Sequence, residues 1–88
     1  DLARHSDPSV RSAAALAVGS AGNRKALPVL ETLIQDQQPQ PRLMASRALG
    51  KVGGRAAIPL LKNALQDSDP AVRVAAAGSL AQVSSMPR

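Results

Sequence analysis

Val10-Arg11-Ser12-Ala13-Ala14-Ala15-Leu16-Ala17-Val18-Gly19 decides the fold, because its pattern is met twice more in the same chain. It returns as Arg42-Leu43-Met44-Ala45-Ser46-Arg47-Ala48-Leu49-Gly50, and again as Val72-Arg73-Val74-Ala75-Ala76-Ala77-Gly78-Ser79-Leu80-Ala81. Arg11, Arg42 and Arg73 stand 31 residues apart. A second track keeps that step, with Ala26-Leu27-Pro28-Val29-Leu30 answered by Ala57-Ile58-Pro59-Leu60-Leu61. A fixed period of this length marks a solenoid, in which each unit hides its apolar face only against a neighbour.

Working outward from the first copy, Ser6-Asp7-Pro8 reads as a helix start, Asp7 at the N-cap and Pro8 at the first helical position. Apolar residues at 10, 13, 14, 17, 18 and 21 then form the stripe of an amphipathic helix. Gly22-Asn23 ends it, since both residues tolerate the left-handed conformation at a helix C-terminus. A second helix is expected from about Arg24 to Gln35, with Pro28 near its first turn and Leu27, Leu30, Leu33 and Ile34 buried.

The second copy enters through Gln38-Pro39-Gln40-Pro41, which removes the capping carboxylate and the apolar anchor at the Val10 position. Its first helix should turn Met44, Ala45, Ala48, Leu49 and Val52 inward and close at Gly53-Gly54. Its partner helix, about Arg55 to Gln66, should bury Ile58, Leu61 and Leu65. Ser68-Asp69-Pro70 restores the strong cap and opens one further helix to about Val83, after which Ser84-Ser85-Met86-Pro87-Arg88 trails off. The units therefore run 7–37, 38–68 and 69–88, with 1–6 as the tail of a preceding repeat, and the chain is expected to be part of a longer array.

Asp-Pro-x-Val-Arg-x-Ala-Ala-Ala, then Leu/Val-Gly-x-x-Gly, then Ala-Leu/Ile-Pro-x-Leu resembles the short HEAT repeat of the bilin-lyase (phycobilisome-lyase) type. The resemblance implies an all-α, right-handed α-solenoid of antiparallel helix pairs, about five helices here. It also implies that the second helices line the concave surface and face a partner.

Composition narrows the function classes. The 88 residues include no Phe, Tyr, Trp or Cys, so the core is built from Ala, Leu, Val and Ile. Neither a disulfide framework nor a thiolate metal site can form; this fits a reducing compartment, with the cytoplasm favoured, and leaves an oxidising one open. No apolar run approaches the roughly 20 residues that span a bilayer. His5-Ser6-Asp7 holds the residue types of a hydrolase triad, but neighbours on one backbone cannot converge as a triad must. One histidine and scattered carboxylates do not assemble a metal site, so no cofactor is expected. Gly50-Lys51-Val52-Gly53-Gly54-Arg55 lacks the spacing and Lys-Ser/Thr ending of a phosphate loop, and reads as close helix contact followed by a C-cap.

Charge carries the remaining information. Eleven basic residues against six acidic ones give +5. Arg11, Arg42 and Arg73 lie in first helical turns, and Asp36 and Asp67 at helix ends, each where the macrodipole disfavours its sign. They are expected to compensate as a structural ladder, Arg42 with Asp36 and Arg73 with Asp67, or with the acid of a neighbouring repeat. Arg24, Lys25, Lys51 and Arg55 gather around the turns between first and second helices, Arg24 and Arg55 in phase. Val29 with Leu60, and Thr32 with Asn63, form a stripe in phase on the second helices. Arg24, Lys25, Val29, Thr32, Arg55, Leu60 and Asn63 are therefore the expected contact residues for a protein or peptide, acidic if the basic edge takes part. Nucleic acid is a second reading, weakened by the absence of any aromatic residue to stack on a base. A bilin-lyase-like subunit is a third, implied by resemblance alone. Val72, Ala76, Leu80 and Val83 are expected to lie uncovered and to favour self-association.

Overall fold

A computed structural model describes residues 2–85. They form five α-helices: α1 (Pro8–Ala21), α2 (Leu27–Leu33), α3 (Pro39–Val52), α4 (Ala57–Ala64) and α5 (Pro70–Ser84). No strand occurs among the described residues. The architecture is an all-helical solenoid: α1, α3 and α5 pack side by side in one layer. In the other layer α2 leans mainly on α3, and α4 on α5.

The three long helices start at in-phase prolines, whose missing N–H would have no helical partner there. The Asp7 carboxylate accepts from Ser9 N–H at 2.8 Å, and Asp69 does the same for Ala71 at 2.8 Å. Gln38 makes no side-chain cap. Its own N–H instead donates to the Asp36 carboxylate at 2.9 Å, so the turn is held from the preceding helix end. Nor is the apolar anchor lost there, because Pro41 is itself fully buried in the Val10 position.

The second helices are shorter than the expected spans. Arg24–Ala26 and Gly54–Ala56 are single 3₁₀ turns, and the α-helices proper begin at Leu27 and Ala57. Pro28 and Pro59 have no N–H to give to the carbonyl four residues back, so the chain enters each helix through three-residue bonds such as Leu27 N–H to the Arg24 carbonyl. Gly22 closes α1 at φ 67°, in the left-handed region. In the second copy Gly53 stays right-handed and the reversal falls one residue later, on Gly54 at φ 54°.

Leu30, Leu33, Leu49, Leu61 and Val72 are fully buried. Burying each aliphatic side chain of this size is worth about 1.5–3 kcal/mol. α3 is central and hides both flanks, Ala45, Ala48, Leu49 and Val52 on the expected stripe and Ser46 and Gly50 besides. Met44, Leu27, Ile58 and Leu65 are only half-buried.

The stripe expected on α1 is only partly the buried one: Ala14 is buried and Val10 and Val18 are half-buried. Ala13, Ala17 and Ala21 are exposed, while Ser12, Ala14, Ala15 and Gly19 are buried. Small residues, Ser12, Ala15 and Gly19, make up most of the buried face, and at Gly19 the approach to α3 is close. A Cβ on Gly19 would lie 2.8 Å from the Ala48 Cβ. The same device recurs between α3 and α5, where a Cβ on Gly50 would lie 2.6 Å from Ser79 Oγ. The Ser79 hydroxyl donates to the Ser46 carbonyl at 2.7 Å across that contact.

The expectation for α5 is also corrected. Val72 and Ala76 are fully buried and Val83 nearly so, because α3 and α4 cover them, and Leu80 is half-buried. The exposed large residue is Val74, at 73%. At the other end, Leu2–Arg4 forms a 3₁₀ turn against α1 with Ala3 buried, in phase with Leu33-Ile34. Met86, Pro87 and Arg88 of the expected tail, and Asp1, lie outside the described residues.

Candidate functional site

The ladder residues come together, but in a different pairing from the one six residues apart. The Arg11 guanidinium donates in a fork to Asp36, Nε at 2.7 Å and Nη2 at 3.0 Å. Arg42 does the same to Asp67 at 2.9 and 3.1 Å. Each acid is thus held by the arginine 25 residues before it. The residue six positions before each arginine contributes its backbone: Arg42 Nη1 donates to the Asp36 carbonyl at 2.8 Å, and Arg73 Nη1 to the Asp67 carbonyl at 2.8 Å. Arg11 Nη1 likewise reaches the His5 carbonyl at 2.7 Å. Arg73 has no carboxylate partner among the described residues.

The geometry accounts for the ionisation. The Arg11 side-chain hydrogen bond holds the Asp36 carboxyl below the ordinary carboxylate range against the cost of its burial. Burial pushes the Asp67 carboxyl up, but the Arg42 hydrogen bond, the Asp69 N–H and the neighbouring guanidinium charges together bring it below its ordinary value. Arg11 is raised in turn by its bond to Asp36. These five residues join helix ends to helix starts, and the two forks pair the charges of Arg11, Asp36, Arg42 and Asp67.

The expected contact residues are more mixed. Arg24, Lys25, Thr32, Arg55 and Asn63 are exposed. Val29 and Leu60 are not; both are half-buried against the core. The Thr32 hydroxyl turns back to the Pro28 carbonyl at 3.2 Å. A side chain built on Gly54 would meet the Arg24 guanidinium at 3.0 Å, so Arg24 lies across the turn that carries Arg55. Between α2 and α4 a shallow cavity of about 230 Å³ is lined by Ile34, Gln35, Leu60, Asn63, Ala64 and Gln66, with Asp67 at its edge.

A larger concavity, about 360 Å³, lies on the opposite layer across α1, α3 and α5. Its outline follows the in-phase positions 16, 47 and 78, occupied by Leu16, Arg47 and Gly78. Repeat reasoning assigns no partner to this face. The one sequence sign of it is Gly78, a glycine in mid-helix where the other copies carry Leu and Arg.

Among the described residues, His5-Ser6-Asp7 does not converge as a triad. His5 Nδ1 accepts the Asp7 N–H at 3.0 Å and serves the turn before α1. No group of three or more His, Asp or Glu among the described residues could hold a metal ion. No helix of the described residues is long and apolar enough to cross a membrane. The family model for HEAT repeats matches the chain twice, over residues 1–45 and 32–88. No curated protein matches it.

Proposed function

As the chain belongs to the HEAT-repeat family, whose members are generally protein-interaction scaffolds, we propose that it is a non-enzymatic scaffold taking an acidic protein segment along its second helices. The observation that carries this reading is the basic edge. Arg24 lies over Gly54 beside Arg55, Lys25 is exposed next to it, and none of the three has an acidic partner among the described residues. Unpaired cations at one edge raise the local concentration of anionic segments and speed their docking. The cavity between α2 and α4 offers amide groups of Gln35, Asn63 and Gln66 beside Leu60, which suits an extended backbone with one apolar side chain.

Peptide display against the chain and against an Arg24→Glu/Arg55→Glu variant tests this. Peptides selected by the wild type should be acidic, should bind the variant more weakly, and should lose affinity as salt rises. Selected peptides that ignore both the substitutions and the salt would overturn it. An oligonucleotide captured through the same cations in preference to peptides would favour nucleic acid instead. The bilin-lyase likeness adds a tetrapyrrole as a third probe, followed by its absorbance.

A further inference from the structure

Mid-helix glycine costs helix stability, and a close contact usually explains it. Gly19 and Gly50 have that explanation, since a Cβ on either would strike the next helix. Gly78 does not: a Cβ there meets nothing within 4 Å, and its φ is not positive. What its missing side chain leaves is an open notch in the lining of the first-layer groove.

The rest of that groove has a consistent chemistry. Gly19, Ala48 and Ala75 make a floor of small residues. Leu16, 56% exposed, and Met44 supply an apolar wall. Arg47 and Lys51 stand one helical turn apart on α3, both exposed and lining the groove, with no side-chain hydrogen bond or ion pair among the described residues. No acidic residue lines the groove. It is open along one side, so it cannot enclose a small molecule over most of its surface as small-molecule sites do. Without aromatic residues it has nothing on which a base could stack.

We infer that this first-layer groove is a second binding surface, and that its occupant is an acidic amphipathic helix of a protein partner. One apolar side chain of that helix fills the notch over Gly78, a second packs against Leu16 and Met44, and carboxylates one turn apart meet Arg47 and Lys51. Two cations at i and i+4 on α3 match the spacing at which a helix repeats its own side chains, and apolar anchors flanked by charge are the usual way a helix is held in a groove. This surface lies on the layer opposite α2 and α4, so it stands or falls separately from the basic edge.

The test uses a lactam-bridged peptide helix of about four turns, with leucines on one face flanked by glutamates, and the same helix with lysines for glutamates. The wild-type chain should bind the first and not the second. Gly78→Leu fills the notch and should weaken binding at least about tenfold, the loss expected for one apolar anchor, while raising the melting temperature. Gly78→Ala should do both to a smaller degree, so a folded variant is available in either case. Arg47→Glu/Lys51→Glu should slow association and reduce its salt dependence, whereas Arg24→Glu/Arg55→Glu should leave this peptide unaffected. The inference is overturned if the wild type does not bind the acidic helix, if Gly78→Leu binds it as well as the wild type, or if only the Arg24/Arg55 variant weakens it.

Discussion

Four hydrogen bonds leave the Arg42 guanidinium, two to the Asp67 carboxylate and two to the carbonyls of Asp36 and Gln37. One side chain thus ties the end of α2, the start of α3 and the end of α4. The Arg42 and Asp67 side chains are 14% and 12% exposed, so removing one strands the other in a poorly hydrated place. Arg42→Ala should therefore cost about 2–3 kcal/mol in urea unfolding. Arg73 makes the carbonyl bonds but no fork, and Arg73→Ala should cost less than about 1 kcal/mol. Equal costs would show that the fork adds nothing. Acid provides an independent check. Asp36 and Asp67 both have lowered folded pKa values. Such groups contribute stability that is complete above the unfolded value, about 3.9, and is lost as pH falls through the folded value. The urea midpoint should fall on acidification below about pH 4, and Asp67→Asn should flatten that dependence. The sequence disclosed which residues form the ladder and not who holds whom. With a step of 31, the acid six residues behind Arg42 or Arg73 also stands 25 ahead of Arg11 or Arg42, and a periodic string does not separate the two.

At the scale of elements, the caps and prolines made every long helix visible in the sequence, whereas the buried face of α1 was not. Alanine is small enough for either side of a helix and carries little facing information, so a stripe drawn through Ala13, Ala17 and Ala21 missed the real contact. The informative residues were Gly19 and Ser12, which a hydrophobic count discards. Substitutions at two glycines of one repeat pattern should consequently go in opposite directions. Gly50→Ala would place a methyl 2.6 Å from Ser79 Oγ and 2.8 Å from its Cβ. Overpacking of about 1–3 kcal/mol should outweigh the gain of about 1 kcal/mol in helix propensity. Gly78→Ala should realise that gain, up to about 1 kcal/mol, because nothing opposes it. Thermal melts of the two variants decide this. A stabilised Gly50→Ala would mean that α3 and α5 can move apart at little cost.

On the scale of the whole molecule, the repeat made the solenoid legible, but not the distribution of concavities over its two layers. Those depend on what each in-phase position happens to carry, Leu16, Arg47 and Gly78 in one case. The two layers also differ mechanically. First helices pack closely where Gly19 faces Ala48 and Gly50 faces the Ser79 side chain, and the Ser79–Ser46 bond crosses one of those contacts. α2 and α4 share little direct contact and meet mainly through α3. The first layer is then an inextensible spine, and the second helices are pages bound to it. Bending should open or close the gap between pages while the spine keeps its length. Spin labels at Ser20 and Lys51 should give a narrow distance distribution, and labels at Glu31 and Lys62 a broader one. A segment wedged between α2 and α4 would set the pitch of the coil, and so pass its presence from one repeat to the next as curvature.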